Sequence, residues 1–239
     1  MEFRLLTKEC EQENFTRRID EARAAHGKSF RESSELRSAN RHRLAHSKLY
    51  GLFDDRNGAS EQMIAGIAMH DLESFPQSCA EPDLSSLPPH DVLECSDHWS
   101  LAGGTGMLAW AGLAMPMRLL GTRAVLAYLA ADSGDGDHAG FYSLMGFVNA
   151  GLPVEHPFVE NSTGGRLRVQ PVVLQGDALE RAINGLARNC LEFSDDWRVF
   201  KLRNVVRPHV RRVPRRSVEA APAPALSADA SAAAITAPA

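Results

Sequence analysis

The stretch Leu101–Met107, LAGGTGM, decides how this chain is read. Three glycines and a threonine separate a strand-like run, DVLECSDHWSL (91–101), from a small-residue, helix-like run from about Gly106 to Leu120. Glycine weakens most elements it enters, so such a cluster marks a sharp turn or a backbone that must come close to something. A helix N-terminus carries free backbone N–H groups and a partial positive charge, and glycines just before it let those groups approach an anion. LAGGTG opening a helix can therefore cradle a phosphate, although an ordinary strand-to-helix loop accounts for the same residues. No Gly-Lys-Ser/Thr is present, which argues against a nucleoside-triphosphate loop. No third spaced glycine is present either, which argues against a dinucleotide motif.

Working outward, RAVLAYLA (123–130) reads as a buried strand after the helix, with Gly121 ending that helix. Strand, glycine loop, helix and strand make a crossover unit, so the two strands are expected to be parallel neighbours. Upstream, SKLYGLFD (47–54) and QMIAGIAMHDL (62–72) flank an Asn-Gly turn in DRNGAS (55–60) and predict an antiparallel hairpin. Residues 10–45 are charged, with apolar Phe15, Ile19, Ala22 and Ala25 at amphipathic-helix spacing and a break at Gly27. Residues 73–90 are rich in Pro and Ser and read as a surface excursion. Downstream, ADSGDGDHAG (131–140) reads as a loop, FYSLMGF (141–147) opens as a short helix, and GRLRVQPVVLQ (165–175) is a strand. A helix follows over 177–193, with Asp177 placed to cap it. The order predicts an α/β (α+β) fold: a mixed, mostly antiparallel twisted sheet with a parallel pair, flanked by helices.

LAGGTG resembles the glycine core of the pyrophosphate-binding motif in the GNAT acyltransferase superfamily. The family also carries a strand and then a FYxxxGF helix, and here RAVLAYLA is followed by Phe141, Tyr142, Gly146 and Phe147 in AGFYSLMGF. The resemblance covers residues 45–150 well and the flanks by element order. Leu101 stands where the family usually has Gln or Arg, and the family's Asn after the fifth strand is not evident in DSGDGDH, where Asp137 or His138 stands nearby.

The resemblance implies that the central parallel strands, 91–101 and 123–130, splay apart and hold the pantetheine arm of acetyl-CoA or another acyl-CoA between them. It places the pyrophosphate on Gly103, Gly104, Thr105 and Gly106, beside Leu101, and a polarising backbone N–H near Asp97 or His98. Direct attack on the thioester needs a neutral amine, a polarised carbonyl and a proton for the leaving thiolate. The implied acid is Tyr142; packing of its helix on the sheet is the alternative reading. For the base, Glu94 comes first because a carboxylate in a central strand is costly unless paired or used; a buried ion pair explains it equally. Strict alternation puts Glu94 and His98 on one face and Cys95, Asp97 and Trp99 on the other. His98 is a second candidate, with a hydrogen-bonded core histidine as its alternative, and His70 and Glu73 are further ones.

Three functions stay open: an N-acyltransferase acting on a small-molecule or protein amine; a long-chain N-acyl amino acid or acyl-homoserine-lactone-type synthase using acyl carrier protein or long acyl-CoA; and a non-catalytic module of this fold. VLECSDHW (92–99) resembles the Glu-x-Ser strand of such synthases.

The bulk numbers narrow the rest. With 239 residues, a net charge of −4 and 44% hydrophobic residues, the chain can bury one sizeable core and shows no nucleic-acid bias. The apolar run Met107–Leu120 is broken by Pro116 and Arg118, too short and interrupted for a membrane span, and MEFRLLTKECEQE lacks a signal-peptide centre. Cys10, Cys79, Cys95 and Cys190 are scattered, which fits reduced thiols and a cytoplasmic setting. His42 and His46, four apart, read as a solvated face rather than a metal pair, and DSGDGD as a turn rather than a calcium loop. The expected organisation is one domain over 1–200, a basic segment over 201–216 and a disordered Ala/Pro-rich tail over 217–239. The arginines over 198–216 suit a solvated tail or an acidic partner such as acyl carrier protein. A homodimer is compatible with the sequence.

Overall fold

The computed structural model describes residues 1–25, 29–30, 34–54, 61–72, 84, 87–101, 105–131, 136–196 and 201–203. The elements are β1 (Glu2–Leu5), α1 (Glu9–Ala25), β2 (Ser29–Phe30), α2 (Ser34–His46), β3 (Lys48–Asp54), β4 (Gln62–Asp71), β5 (Val92–Ser100), α3 (Thr105–Leu120), β6 (Ala124–Ala130), α4 (Gly136–Leu144), β7 (Val148–Asn149), β8 (Val154–Glu160), β9 (Arg166–Gln175), α5 (Gly176–Asp196) and β10 (Lys201–Arg203). The strands form one sheet in the order β10-β1-β3-β4-β5-β6-β9-β8-β2, with β7 also on β9. The β5–β6 and β1–β10 ladders are parallel and the others antiparallel.

The hairpin forms as its alternation predicts, with Lys48 opposite Met69 and Gly51 opposite Gly66. The Asn-Gly turn, most of the 73–90 excursion and the 217–239 tail lie outside the described residues. The charged N-terminal third is two helices, and β1 precedes them on the edge of β3, where Phe3 and Leu5 alternate inward. α4 starts at Gly136, earlier than the FYSLMGF run alone predicts. α5 starts at Gly176, so Asp177 lies inside its first turn rather than at the cap. The first compact unit runs Met1–Arg207.

The sheet carries helices on both faces. On one, α3, α4 and α5 cover Phe3, Tyr50, Ile67, Leu93, Cys95 and Val125. On the other, α1 and α2 cover Leu49, Phe53, Met63, Ala68 and Trp99 with Phe15, Ile19 and Leu44. α3 is apolar almost all round because it lies between the sheet and α5. It ends as glycine allows: Gly121 takes φ +69°, its N–H reaches the Arg118 carbonyl at 3.2 Å, and the Thr122 N–H reaches the Met117 carbonyl at 3.0 Å.

Trp110 on α3 is the hub of this layer. It meets Tyr142 edge-on at 5.6 Å between ring centroids and Phe147 at 6.0 Å. Trp110→Ala is expected to lower the unfolding free energy by about 3–5 kcal/mol, because it removes a buried indole from a cluster that has few ways to close. Urea unfolding measures this; a loss under about 1 kcal/mol would mean that the rings repack.

Candidate functional site

The parallel β5–β6 ladder is short. Val92, Leu93 and Glu94 stand opposite Ala124, Val125 and Leu126, and no further register pairs join the two strands among the described residues. β6 continues along β9 as far as Ala130 opposite Val169, and β5 continues along β4 as far as Ser100 opposite Ala65. The strands therefore part beyond Glu94, each held by its outer neighbour.

β5 is also bulged. Ser96 faces Ala68 and Trp99 faces Gly66, so Asp97 and His98 together oppose Ile67. Asp97 has φ +51°, a left-handed conformation that Asp tolerates better than most residues. The extra residue breaks the strict alternation expected from the sequence. Asp97 turns to the α1/α2 face, where Trp99 also packs, and His98 turns to α3.

On the α1/α2 face the Asp97 carboxylate is paired with Arg23 of α1 and Arg43 of α2. Arg43 also donates to the Ser96 hydroxyl at 2.7 Å, and that hydroxyl donates to Asp97 at 3.2 Å. Burial alone would raise the Asp97 pKa, but the two guanidinium groups override it and hold the carboxyl well below its usual range. Arg43 is only 2% exposed, in a helix whose sequence reads as a solvated face. Only its sheet-facing position reveals it.

Glu94 and His70 are opposite each other on β5 and β4, both fully buried, with Glu94 Oε2 3.6 Å from His70 Nε2. His70 and Glu94 therefore come together, whereas His98 is separated from them by the sheet. Its Nε2–H donates to the Gly106 carbonyl at 3.3 Å, and its ring stands edge-on to Trp110 at 6.2 Å. A Cβ on Gly106 would lie 2.9 Å from that ring, so glycine permits the close crossing of β5 and α3.

At the cradle, Leu101 is 44% exposed and its N–H donates to the Ile64 carbonyl at 2.9 Å. Thr105 opens α3, buried, and the first turn of that helix carries no acidic side chain. Gly103, Gly104 and Glu73 lie outside the described residues. Tyr142 is buried beside Cys95 on the α3 face; burial first, and the Cys95 thiol second, push its phenol pKa up. The first turn of α3, without an acidic side chain, thus lies next to two strand edges that part.

The His42 and His46 rings lie 4.2 Å apart between centroids, tilted to each other and both exposed, and no group of metal-ligating side chains occurs among the described residues. No helix among them is long and apolar enough to cross a membrane.

His156 on β8, absent from the sequence reading, completes the cluster. Burial, then the charge of Arg23, lowers its pKa from 6.5 to about 3, and burial also lowers that of His70. His156 is neutral in the folded chain and burial shifts His70 the same way, whereas both titrate near 6.5 when unfolded, so the unfolded state takes up the extra protons as pH falls. Stability is complete above about pH 6.5 and should fall below it, by up to about 1.4 kcal/mol per pH unit for each histidine. Asp97, whose folded pKa is also lowered, contributes with the same sign but only below about pH 4, so the decline between 6.5 and 4 belongs to the histidines rather than to Asp97. Urea midpoints at pH 7.5 and 5 test this, and a His156→Gln chain should show a shallower decline. A midpoint independent of pH would contradict it.

No family model matches the chain, and no curated protein matches it in sequence. Solved structures do. A candidate acetyltransferase from Acinetobacter baylyi ADP1 superposes with a TM-score of 0.50 at 14% identity, over 73% of this chain and 92% of that one. The N-acyl amino acid synthase FeeM from uncultured soil microbes gives 0.49 at 14% identity, over 72% and 89%. Ribosomal-protein-alanine N-acetyltransferase from Brucella melitensis gives 0.49 at 14% identity, over 73% and 99%.

Proposed function

We propose that the chain, which has the GNAT acyltransferase fold, is an N-acyltransferase moving an acyl group from acyl-CoA, acetyl-CoA in the first instance, to an amine by direct attack on the thioester. The observation that carries this reading is the parting of β5 and β6 beyond Glu94, next to the start of α3 and the bulge at Asp97 and His98. A pair of parallel strands gives up ladder hydrogen bonds there, and backbone N–H and C=O groups left so are satisfied by an extended guest.

The bound acyl-CoA would supply the thioester carbonyl, the electrophile. Thr105 and Gly106, with Gly103 and Gly104 before them, would hold its pyrophosphate through backbone N–H groups. A backbone N–H of β5 near the bulge, at Asp97 or His98, would polarise the carbonyl. Glu94 would take a proton from the amine on the α1/α2 side. Tyr142, kept protonated by burial, would donate to the departing thiolate from the α3 side. The two would thus act from opposite faces of the sheet. His98, tied to Gly106, would fix β5 against α3 rather than act as the base.

The test is thiol release from acetyl-CoA by the full chain with spermidine, glucosamine, tyrosine and an alanine-terminated peptide as acceptors. Amine-dependent release that Tyr142→Phe slows is the expected result. Release only from a long-chain acyl-CoA would move the assignment to a long-chain synthase, and no release from either donor would remove the enzymatic reading.

A further inference from the structure

The buried pair Glu94–His70 connects to one more group. His70 Nδ1 lies 3.5 Å from the Ser47 hydroxyl, and Ser47 Oγ lies 3.0 Å from the Arg43 carbonyl. A carbonyl only accepts, so the Ser47 O–H donates to it and the Ser47 lone pair faces Nδ1. Nδ1 then carries the hydrogen, and Nε2 turns an acceptor toward Glu94. Nε2 and Glu94 Oε2 are 3.6 Å apart, just beyond hydrogen-bond distance, so a small approach lets Nε2 accept a proton once Glu94 carries one. Ser47, at the C-terminal end of α2, is partly exposed whereas His70 and Glu94 are not.

We propose that His70 and Ser47 form the proton outlet of Glu94, carrying the proton taken from the acceptor amine to solvent at the α2 end of the sheet. This rests on the acyltransferase reading above. The steps balance without any redox partner. An N–H bond of the acceptor breaks and Glu94 gains the proton. The proton passes to His70 Nε2 as the Nδ1–H bond breaks toward Ser47 Oγ. Ser47 releases its own proton to water. His70 acts through Glu94 and does not touch the acceptor. The other charged groups facing it are Arg43 from α2, Asp97 from β5, and Asp71 on its own strand, which lies 3.8 Å from Lys48.

The experiment uses the full chain, acetyl-CoA and the best acceptor from the amine panel, followed from pH 6 to 9. His70→Gln keeps hydrogen-bonding capacity on both sides but cannot carry a proton. It should lower kcat by about 100-fold and displace the acidic limb of the pH profile, with acetyl-CoA affinity unchanged. Combining it with Glu94→Gln should slow the enzyme no further than Glu94→Gln alone, because the two act as one unit. Ser47→Ala, at the exposed end, should move the same limb by a smaller factor. A folded His70→Gln chain with an unaltered profile overturns the relay alone. If that variant does not fold, an unaltered profile in Ser47→Ala does so. Acetyl-CoA binding without turnover of any amine by the parent chain overturns the relay together with the acyltransferase reading.

Discussion

Asp97→Ala is expected to lower the unfolding free energy by about 3–5 kcal/mol, because it leaves Arg23 and Arg43 as uncompensated charges inside the protein. Both arginines converge on this one carboxylate, and its side chain and that of Arg43 are each 2% exposed. Alanine is also a poor occupant of the left-handed backbone at this position, at φ +51°. Asp97→Asn separates the two effects. Asparagine accepts that backbone and keeps a hydrogen-bond acceptor, so whatever stability it loses reports the charge. Urea unfolding at pH 7 measures both. A loss under about 1 kcal/mol in the alanine chain would mean that the arginines reach solvent and that the clasp holds little together. The clasp ties α1 and α2 to the bulge, and so fixes the α1/α2 side of the gap against β5.

Gly104→Glu is expected to abolish acetyl-CoA binding, a loss of about 100-fold or more in affinity, while the melting temperature stays where it was. Residue 104 directly precedes Thr105, the first residue of α3, and the first turn of that helix has no acidic side chain. A carboxylate there would set a negative charge against the phosphates and put a side chain where backbone must approach. Gly104→Ala should weaken binding less, because it adds bulk without charge. Unchanged affinity in a folded Gly104→Glu chain would remove the pyrophosphate from this loop.

Much of the sheet could be read before the fold was in hand, because its signals are local. The hairpin came from alternation around Asn-Gly. The crossover came from a strand, a glycine cluster and an apolar helix closed by Gly121. The strand β8 was not legible: VEHPFVE carries Pro157 and little alternation, and it is held by β9 and β2 rather than by its own pattern. The site was legible in part. The cost of a carboxylate in a central strand singled out Glu94, and the structure sets His70, a further candidate, opposite it. The bulge left no mark on the sequence, since one extra residue in a strand looks like any other, and it reversed the faces of Asp97, His98 and Trp99 relative to Glu94. Arg23 and Arg43 were invisible for a related reason. They lie in charged helices whose composition reads as solvated, and only tertiary packing turns two of those charges inward.

The most direct test of the central claim is a calorimetric titration of the full chain with acetyl-CoA, run beside one with free CoA and one with a long-chain acyl-CoA. The account predicts saturable one-site binding of acetyl-CoA, retained by free CoA because the pyrophosphate and the arm carry most contacts. Absence of heat and of any competition with all three ligands would contradict it, and would leave LAGGTGM as a turn and nothing more.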